Sequence, residues 1–224
     1  MSTIEERLRE IKETLPESTR VIAVSKFHPT ERILEAYNAG QRLFGENRAQ
    51  EMTEKQPQLP SDIEWHFIGT LQRNKVKYIV PFVHTIHSVD SIRLLDEIER
   101  QCARLQRESV RVLLQIHISG EETKHGFDKE ELDDLINSGA LEQLQHVKVV
   151  GLMGMASLTD DLDLVDSEFA RMRGIFDALK GGPFAGHPEF KELSIGMSGD
   201  YQLAVRHGAT YVRIGTAIFG AREY

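Results

Sequence analysis

The stretch Tyr211-Val212-Arg213-Ile214-Gly215-Thr216 decides the fold, because it is an eighth strand signal, lying close to the end of a chain of 224 residues. An open, doubly wound sheet usually stops near six strands and carries a Gly-x-Gly-x-x-Gly turn after the first. The first strand here, Val21-Ile22-Ala23-Val24-Ser25, runs instead into Lys26-Phe27-His28-Pro29-Thr30. Strand and helix signals alternate through the chain with no interdomain linker. They predict a closed (β/α)8 TIM barrel, a single domain over 1–224, with an extra N-terminal helix.

Working back from that strand, Glu192-Leu193-Ser194-Ile195-Gly196-Met197 is the seventh, with a helix expected over 198–207. The sixth is 147–155, with a helix over 162–180. The fifth is 110–118, followed by a polar loop over 119–127 and a helix over 128–137. Thr85-Ile86-His87-Ser88-Val89 is the fourth, and Asp90 and Ser91 open a long helix through Arg107. The third, 64–69, precedes a basic helix carrying Arg73, Lys75 and Lys77. The second, 42–45, runs directly into a helix from Glu46. Thr30 caps the helix after the first strand, and Gly40 ends it. Ahead of all of them, Ile4, Leu8, Ile11 and Leu15 recur at helical spacing up to Pro16, as an amphipathic helix requires.

Composition narrows the function. A net charge of −8 argues against a nucleic-acid partner, which would ask for a basic surface. Cys102 is the only cysteine, so an intramolecular disulfide and a cysteine-based metal site are both excluded. The first residues lack the layout of a secretion signal, and no apolar run approaches bilayer length. The expected location is cytoplasmic, away from membranes. His84, His87 and His117 lack a grouped carboxylate or thiolate, so no metal is expected, and His66 reads as a hydrogen-bonded barrel residue. Lys75 and Lys77 read as solvent-facing.

In such a barrel the reactive groups gather at the C-terminal ends of the strands. Lys26, Asn47, His66, Gly69, Met153, Ser198, Arg213, Gly215 and Thr216 would all face that mouth. Partial loss of hydration at a strand end favours the neutral amine of Lys26, a nucleophile toward aldehydes. Gly196-Met197-Ser198-Gly199-Asp200 ends a strand and opens a helix, so the N–H groups of Ser198 and Gly199 are available to an anion. Gly215 and Thr216 lie on the adjacent strand end, where barrels commonly bind phosphate. Arg213 shares a strand face with Gly215 and must find an acceptor, either a carboxylate or a ring nitrogen.

Together, Val24-Ser25-Lys26, Phe44-Gly45-Glu46-Asn47, Trp65-His66-Phe67-Ile68-Gly69-Thr70-Leu71-Gln72, Gly151-Leu152-Met153, the 193–200 segment and Val212-Arg213-Ile214-Gly215-Thr216-Ala217-Ile218-Phe219-Gly220 resemble the pyridoxal phosphate homeostasis protein family. These are single-domain relatives of the alanine racemase N-terminal barrel. The resemblance implies pyridoxal 5′-phosphate held as a covalent aldimine on Lys26, with its phosphate on Ser198, Gly199, Gly215 and Thr216. It also implies Arg213 at the pyridine nitrogen and Asn47 and Met153 along the ring. Gly154 departs from the family, which often has a larger residue there. Lys124-His125-Gly126-Phe127 is family-like, with a turn at Gly126.

An arginine at the pyridine nitrogen opposes the protonated ring that most such enzymes exploit, although racemases tolerate it. The racemases take a second acid/base group from an added domain, which is not expected here because the strand signals run almost to residue 224. The expectation is a non-catalytic protein that binds, buffers or delivers the B6 cofactor inside the cell. Its expected partners are the cofactor itself and recipient apo-enzymes, the chain being a monomer or weak homodimer. Two alternatives stay open here: a cofactor-dependent amino-acid racemase, and a barrel aldolase using Lys26 on a sugar phosphate.

Overall fold

Each predicted strand pairs in parallel with the next, and the last pairs with the first. The computed structural model describes residues 2–120 and 126–220. The strands are β1 Arg20–Val24, β2 Leu43–Glu46, β3 Glu64–Phe67, β4 Thr85–Val89, β5 Val110–Ile116, β6 Val147–Gly154, β7 Glu192–Met197 and β8 Tyr211–Ile214, joined in chain order as a closed barrel. Closure runs from Arg20 opposite Tyr211 to Ala23 opposite Ile214. An open sheet would leave both of those edges unpaired.

Helices α1 Ile4–Glu13, α2 Thr30–Asn38, α3 Ala49–Lys55, α4 Val76–Ile79, α5 Ile92–Arg104, α6 Lys129–Asn137, α7 Leu162–Gly181, α8 Tyr201–Arg206 and α9 Thr216–Phe219 surround the strands. Outward strand residues such as Ala23, Phe44, Trp65, Phe67, Val112 and Leu193 form the main core beneath them. At the N-terminus of α1, Thr3 and Glu6 close a reciprocal capping box. Its buried face, Ile4, Leu8 and Ile11, packs on α2 and α9. Because α9 has only four residues, α1 supplies the apolar cover that the eighth unit cannot.

Three expectations about elements are corrected. The helix after the second strand begins at Ala49, not Glu46, because β2 extends through Glu46 and buries its carboxylate. The basic helix after β3 is a 3-10 turn, Arg73–Lys75, followed by the single turn of α4. Finally, α8 starts at Tyr201 with Asp200 in its N-cap position, which leaves Ser198 and Gly199 in the preceding turn rather than on a helix.

Inside the barrel, β6 carries one extra residue relative to β5, since Val112 faces Val149 while Leu113 faces Gly151. Gly151 has φ of +155°, and a Cβ there would sit 1.8 Å from the Glu192 carbonyl oxygen. The bulge turns Val150 and Met153 to the same side, where they pack on Leu113 within the barrel. At the N-terminal end of the barrel the lining turns polar, and the buried Glu192 bonds Arg20 at 2.7 Å and Arg111 at 3.1 Å.

Candidate functional site

At the C-terminal end of the strands lies a cavity of about 310 Å³. It is lined by Lys26, Asn47, Ser198, Gly199, Arg213, Gly215 and Thr216, with Val24, His28, Ile68, Met155, Leu158 and Met197 as the remaining wall. Seven of the sequence-predicted residues therefore meet on one cavity, because all sit at strand ends on the inward side.

Lys26 follows β1 and is half-buried. Its two neighbours are held from outside the barrel by a buried ionic cluster that sequence reasoning missed. Lys55 Nζ donates to the Ser25 carbonyl at 2.9 Å, to Glu46 Oε1 at 2.8 Å and to Glu51 Oε1 at 2.6 Å. Glu46 Oε1 also accepts from Ser25 Oγ at 2.7 Å, and Glu51 Oε1 accepts from the Phe27 N–H at 2.6 Å. Phe27 is left-handed, at φ of +67°, a conformation that a bulky side chain adopts only when its surroundings hold it there. The cluster thus fixes the backbone on both sides of Lys26. Only the i, i+4 spacing of Glu51 and Lys55 hinted at it.

Arg213 is fully enclosed. Its Nη1 donates to the Ser194 carbonyl at 2.7 Å and to Ser194 Oγ at 2.8 Å, and its Nη2 donates to the Gly154 carbonyl at 3.0 Å. The acceptors are thus neutral oxygens, not the carboxylate that sequence reasoning left open. Burial pulls its pKa down to about 10, with Asp200 opposing. Burial in turn raises the pKa of Asp200, whose carboxylate accepts from the Met197 N–H. Three anchored donors aim the guanidinium and leave its other edge at the cavity wall.

The turns after β7 and β8 are tied together, since the Gly215 N–H donates to Ser198 Oγ at 3.2 Å. Ser198 therefore bridges two turns instead of capping a helix. Among the described residues, no protein atom accepts from the N–H groups of Ser198 or Gly199, and a Cβ at Gly199 would meet nothing within 4 Å. Across the cavity Asn47 Oδ1 is enclosed and has no partner. An acceptor left bare at a cavity wall suits a hydroxyl donor on a ligand.

Three predicted mouth residues lie elsewhere. Met153 sits one layer deeper, against Leu113 and Val150, and Met155, two residues further along the same face, takes the wall position. His66 points into the barrel but toward its N-terminal half, bonded to His87 Nε2 through Nδ1 at 2.8 Å. Gly69 packs against the Asn47 backbone, where a Cβ would come within 2.3 Å of the carbonyl oxygen. Gly154 lies under Ile118 and Met172, which fill the space of a larger side chain, and its carbonyl serves Arg213. At Gly126, φ of +110° and the closeness of the Gln115 carbonyl demand glycine; Lys124 and His125 lie outside the described residues. Lys77 is exposed and Lys75 half-buried beside Tyr78. The expectation that no carboxylate accompanies the histidines fails at Glu64, which lies 3.7 Å from His84.

The donor set fits pyridoxal phosphate: an amine for its aldehyde, open N–H groups for its phosphate, and a bare acceptor for its ring hydroxyl. Comparison with known proteins agrees. The family described as alanine racemase, N-terminal domain, matches residues 1–223. The pyridoxal phosphate homeostasis protein of Pasteurella multocida is 39% identical over 238 residues, covering 99% of each chain. That of Escherichia coli is 38% identical over 214 residues, covering 93% of this chain and 88% of the other. PipY of Synechococcus elongatus, solved with PLP bound, superposes with a TM-score of 0.87 at 41% identity, over 97% of this chain and 100% of that one. Alanine racemase of Clostridium difficile shares the fold, with a TM-score of 0.79 at 15% identity over 99% of this chain and 57% of the racemase. No helix among the described residues is long and apolar enough to cross a membrane. By the residues at its mouth and by these likenesses, the chain belongs to the alanine racemase N-terminal domain family and, within it, to the pyridoxal phosphate homeostasis proteins.

Proposed function

We propose that this chain binds pyridoxal 5′-phosphate at the barrel mouth and serves the intracellular homeostasis of that cofactor without turning over amino acids. The observation that carries the reading is the convergence of Lys26, the partnerless Asn47 Oδ1, the bridged turns of Ser198 and Gly215, and Arg213 on one cavity. When bound, the cofactor supplies an aldehyde that condenses with an amine, releasing water. Lys26 is the amine and holds the cofactor as an internal aldimine. The N–H groups of Ser198 and Gly199, with Gly215 and Thr216, hold the phosphate, and Asn47 Oδ1 accepts from the ring hydroxyl. Arg213, kept cationic at neutral pH, faces the ring nitrogen and keeps it unprotonated. An unprotonated ring is a poor electron sink, which suits storage and release over carbanion chemistry.

The residues around the cavity support the same choice. Inverting an amino acid needs acid/base groups on both faces of the substrate. Among the described residues no tyrosine lines the cavity: Tyr211 is enclosed deep in the barrel, and Tyr201 lies 3.5 Å from Thr14 on the outer surface. The recipients are apo-enzymes that need the cofactor, and the chain acts in the cytoplasm as a monomer or weak homodimer.

The test is chemical. The full chain, mixed with pyridoxal phosphate, should develop visible absorbance that borohydride abolishes, with the reduced adduct located on the Lys26 peptide by mass spectrometry. Lys26→Ala should remove both signals, and chiral analysis should show no catalytic racemisation. An adduct found mainly at Lys75 or Lys77 would move the site and overturn the assignment.

A further inference from the structure

At the opposite end of the barrel, Glu64 and His66 point inward from β3, two residues apart and so on one face. His84, directly before β4, joins them. Glu64 Oε2 lies 3.7 Å from His84 Nε2, and one ligand atom of each of the three residues lies within 4.8 Å of the others. We propose that this trio is a binding site for a divalent transition-metal ion of the zinc class, with water as a fourth ligand. At metal–ligand distances of about 2.0–2.1 Å, a tetrahedral centre needs its ligand atoms roughly 3.3–3.4 Å apart. The 3.7 Å between Glu64 Oε2 and His84 Nε2 is already close to that spacing.

The independent observation is His66 Nε2, which is fully enclosed and has no hydrogen-bond partner. The rest of the ring is committed through a chain of bonds that ends on Arg213. His66 Nδ1 lies 2.8 Å from His87 Nε2, His87 Nδ1 lies 3.0 Å from Ser194 Oγ, and Ser194 Oγ accepts from Arg213 at 2.8 Å. If His87 donates to Ser194, its Nε2 accepts from His66 Nδ1–H, and a bare lone pair remains at His66 Nε2. The reverse order, in which the Ser194 hydroxyl donates to His87 Nδ1, puts an N–H at His66 Nε2 instead; each order leaves one buried donor without an acceptor among the described residues, the Ser194 hydroxyl in the first and the His66 N–H in the second. The first order is the one a metal ligand needs, and an ion at Nε2 would select it.

His84 is oriented in the same manner, with Nδ1 2.9 Å from Thr85 Oγ1 and Nε2 left toward Glu64. An outer hydrogen bond that fixes the ring is the usual companion of a metal-bound histidine. The side chains of Glu64 and His84 are 41% and 35% exposed, which opens a path for the ion and for water. Arg20, Arg111 and Arg107 are nearby positive charges; the first two are bonded to the buried Glu192, and Arg107 donates to the Val83 carbonyl. Two imidazoles with one carboxylate suit zinc better than calcium or magnesium.

The site is independent of the cofactor reading, and its test reads metal alone. Full-length protein freed of metal by chelation is titrated with Zn2+ by calorimetry, and with Co2+ by visible absorption. One ion per chain should bind, with a Co2+ spectrum of four or five ligands, displaced by Zn2+. Glu64→Gln and His84→Ala, both at partly exposed positions, should each weaken Zn2+ by at least tenfold while leaving the circular dichroism and the borohydride-reducible cofactor signal in place. No binding up to millimolar Zn2+ would overturn the proposal. So would undiminished binding in both variants, since it would place the ion on a surface pair such as His187 and Glu189.

Discussion

Lys55 bonds three oxygens with one ammonium, and two of them belong to carboxylates with little or no access to water. Removing it strands the charge of Glu46, whose own pKa is already raised by burial against the pull of Lys55. Lys55→Met should therefore destabilise the fold by about 3–5 kcal/mol in urea titrations, the usual cost of breaking one side of a buried pair. An exposed pair such as Lys129 and Asp133 should give less than about 1 kcal/mol in the same assay. The contrast tracks what was legible at this scale. Lys26, Arg213 and Gly215 could be placed from the sequence because strand alternation fixes which side they face. Lys55 could not, because its partner Glu46 lies across a strand-to-helix turn whose course depends on the very contact in question.

The eight strands and their order were readable as elements because each is a short, largely apolar run between turn residues, most of them rich in β-branched residues, but alternation misleads wherever a strand carries an extra residue. In β6 the bulge at Gly151 shifts every later side chain by one, which turns Met153 and Met155 inward together, and of the two it is Met155 that lies at the wall. Gly151→Ala should cost more than about 2 kcal/mol, since a positive φ and a clash with the Glu192 carbonyl oxygen act together. A melting curve would register it, and Gly199→Ala, with open space around it, should melt within a degree or two of the parent. Helix ends were the other weak point. The turn over 198–199 looked like the start of α8, but Asp200 takes the capping position, and only the bond from Gly215 to Ser198 shows what the serine does instead.

At the scale of the whole molecule, the interior of the barrel is a polar column of His66, His87 and Ser194 between Arg213 above and Glu192 below. Burial, with charged neighbours adding to it, holds both histidines well below the usual value of 6.5. As pH falls through that value the unfolded chain takes up protons first, so the stability these neutral rings contribute is present above it and lost below it. Each ring can contribute a slope of up to about 1.4 kcal/mol per pH unit, so between pH 6 and 5 the pair should remove up to roughly 2–3 kcal/mol. Denaturant midpoints across that range would reveal it, and His87→Gln should halve the slope. The column was invisible in the sequence because its members come from three different strands.

The pairing of the first strand with the last carries a cost in biosynthesis. A nascent chain leaves the ribosome from its N-terminus, so the outer edge of Val21-Ile22-Ala23-Val24 waits without a partner until β8 has been translated. During that wait it is a flat apolar template for other unfinished chains. The protein is therefore most prone to aggregate while it is being made, and slowed translation late in the message would do more harm than an equal delay early on.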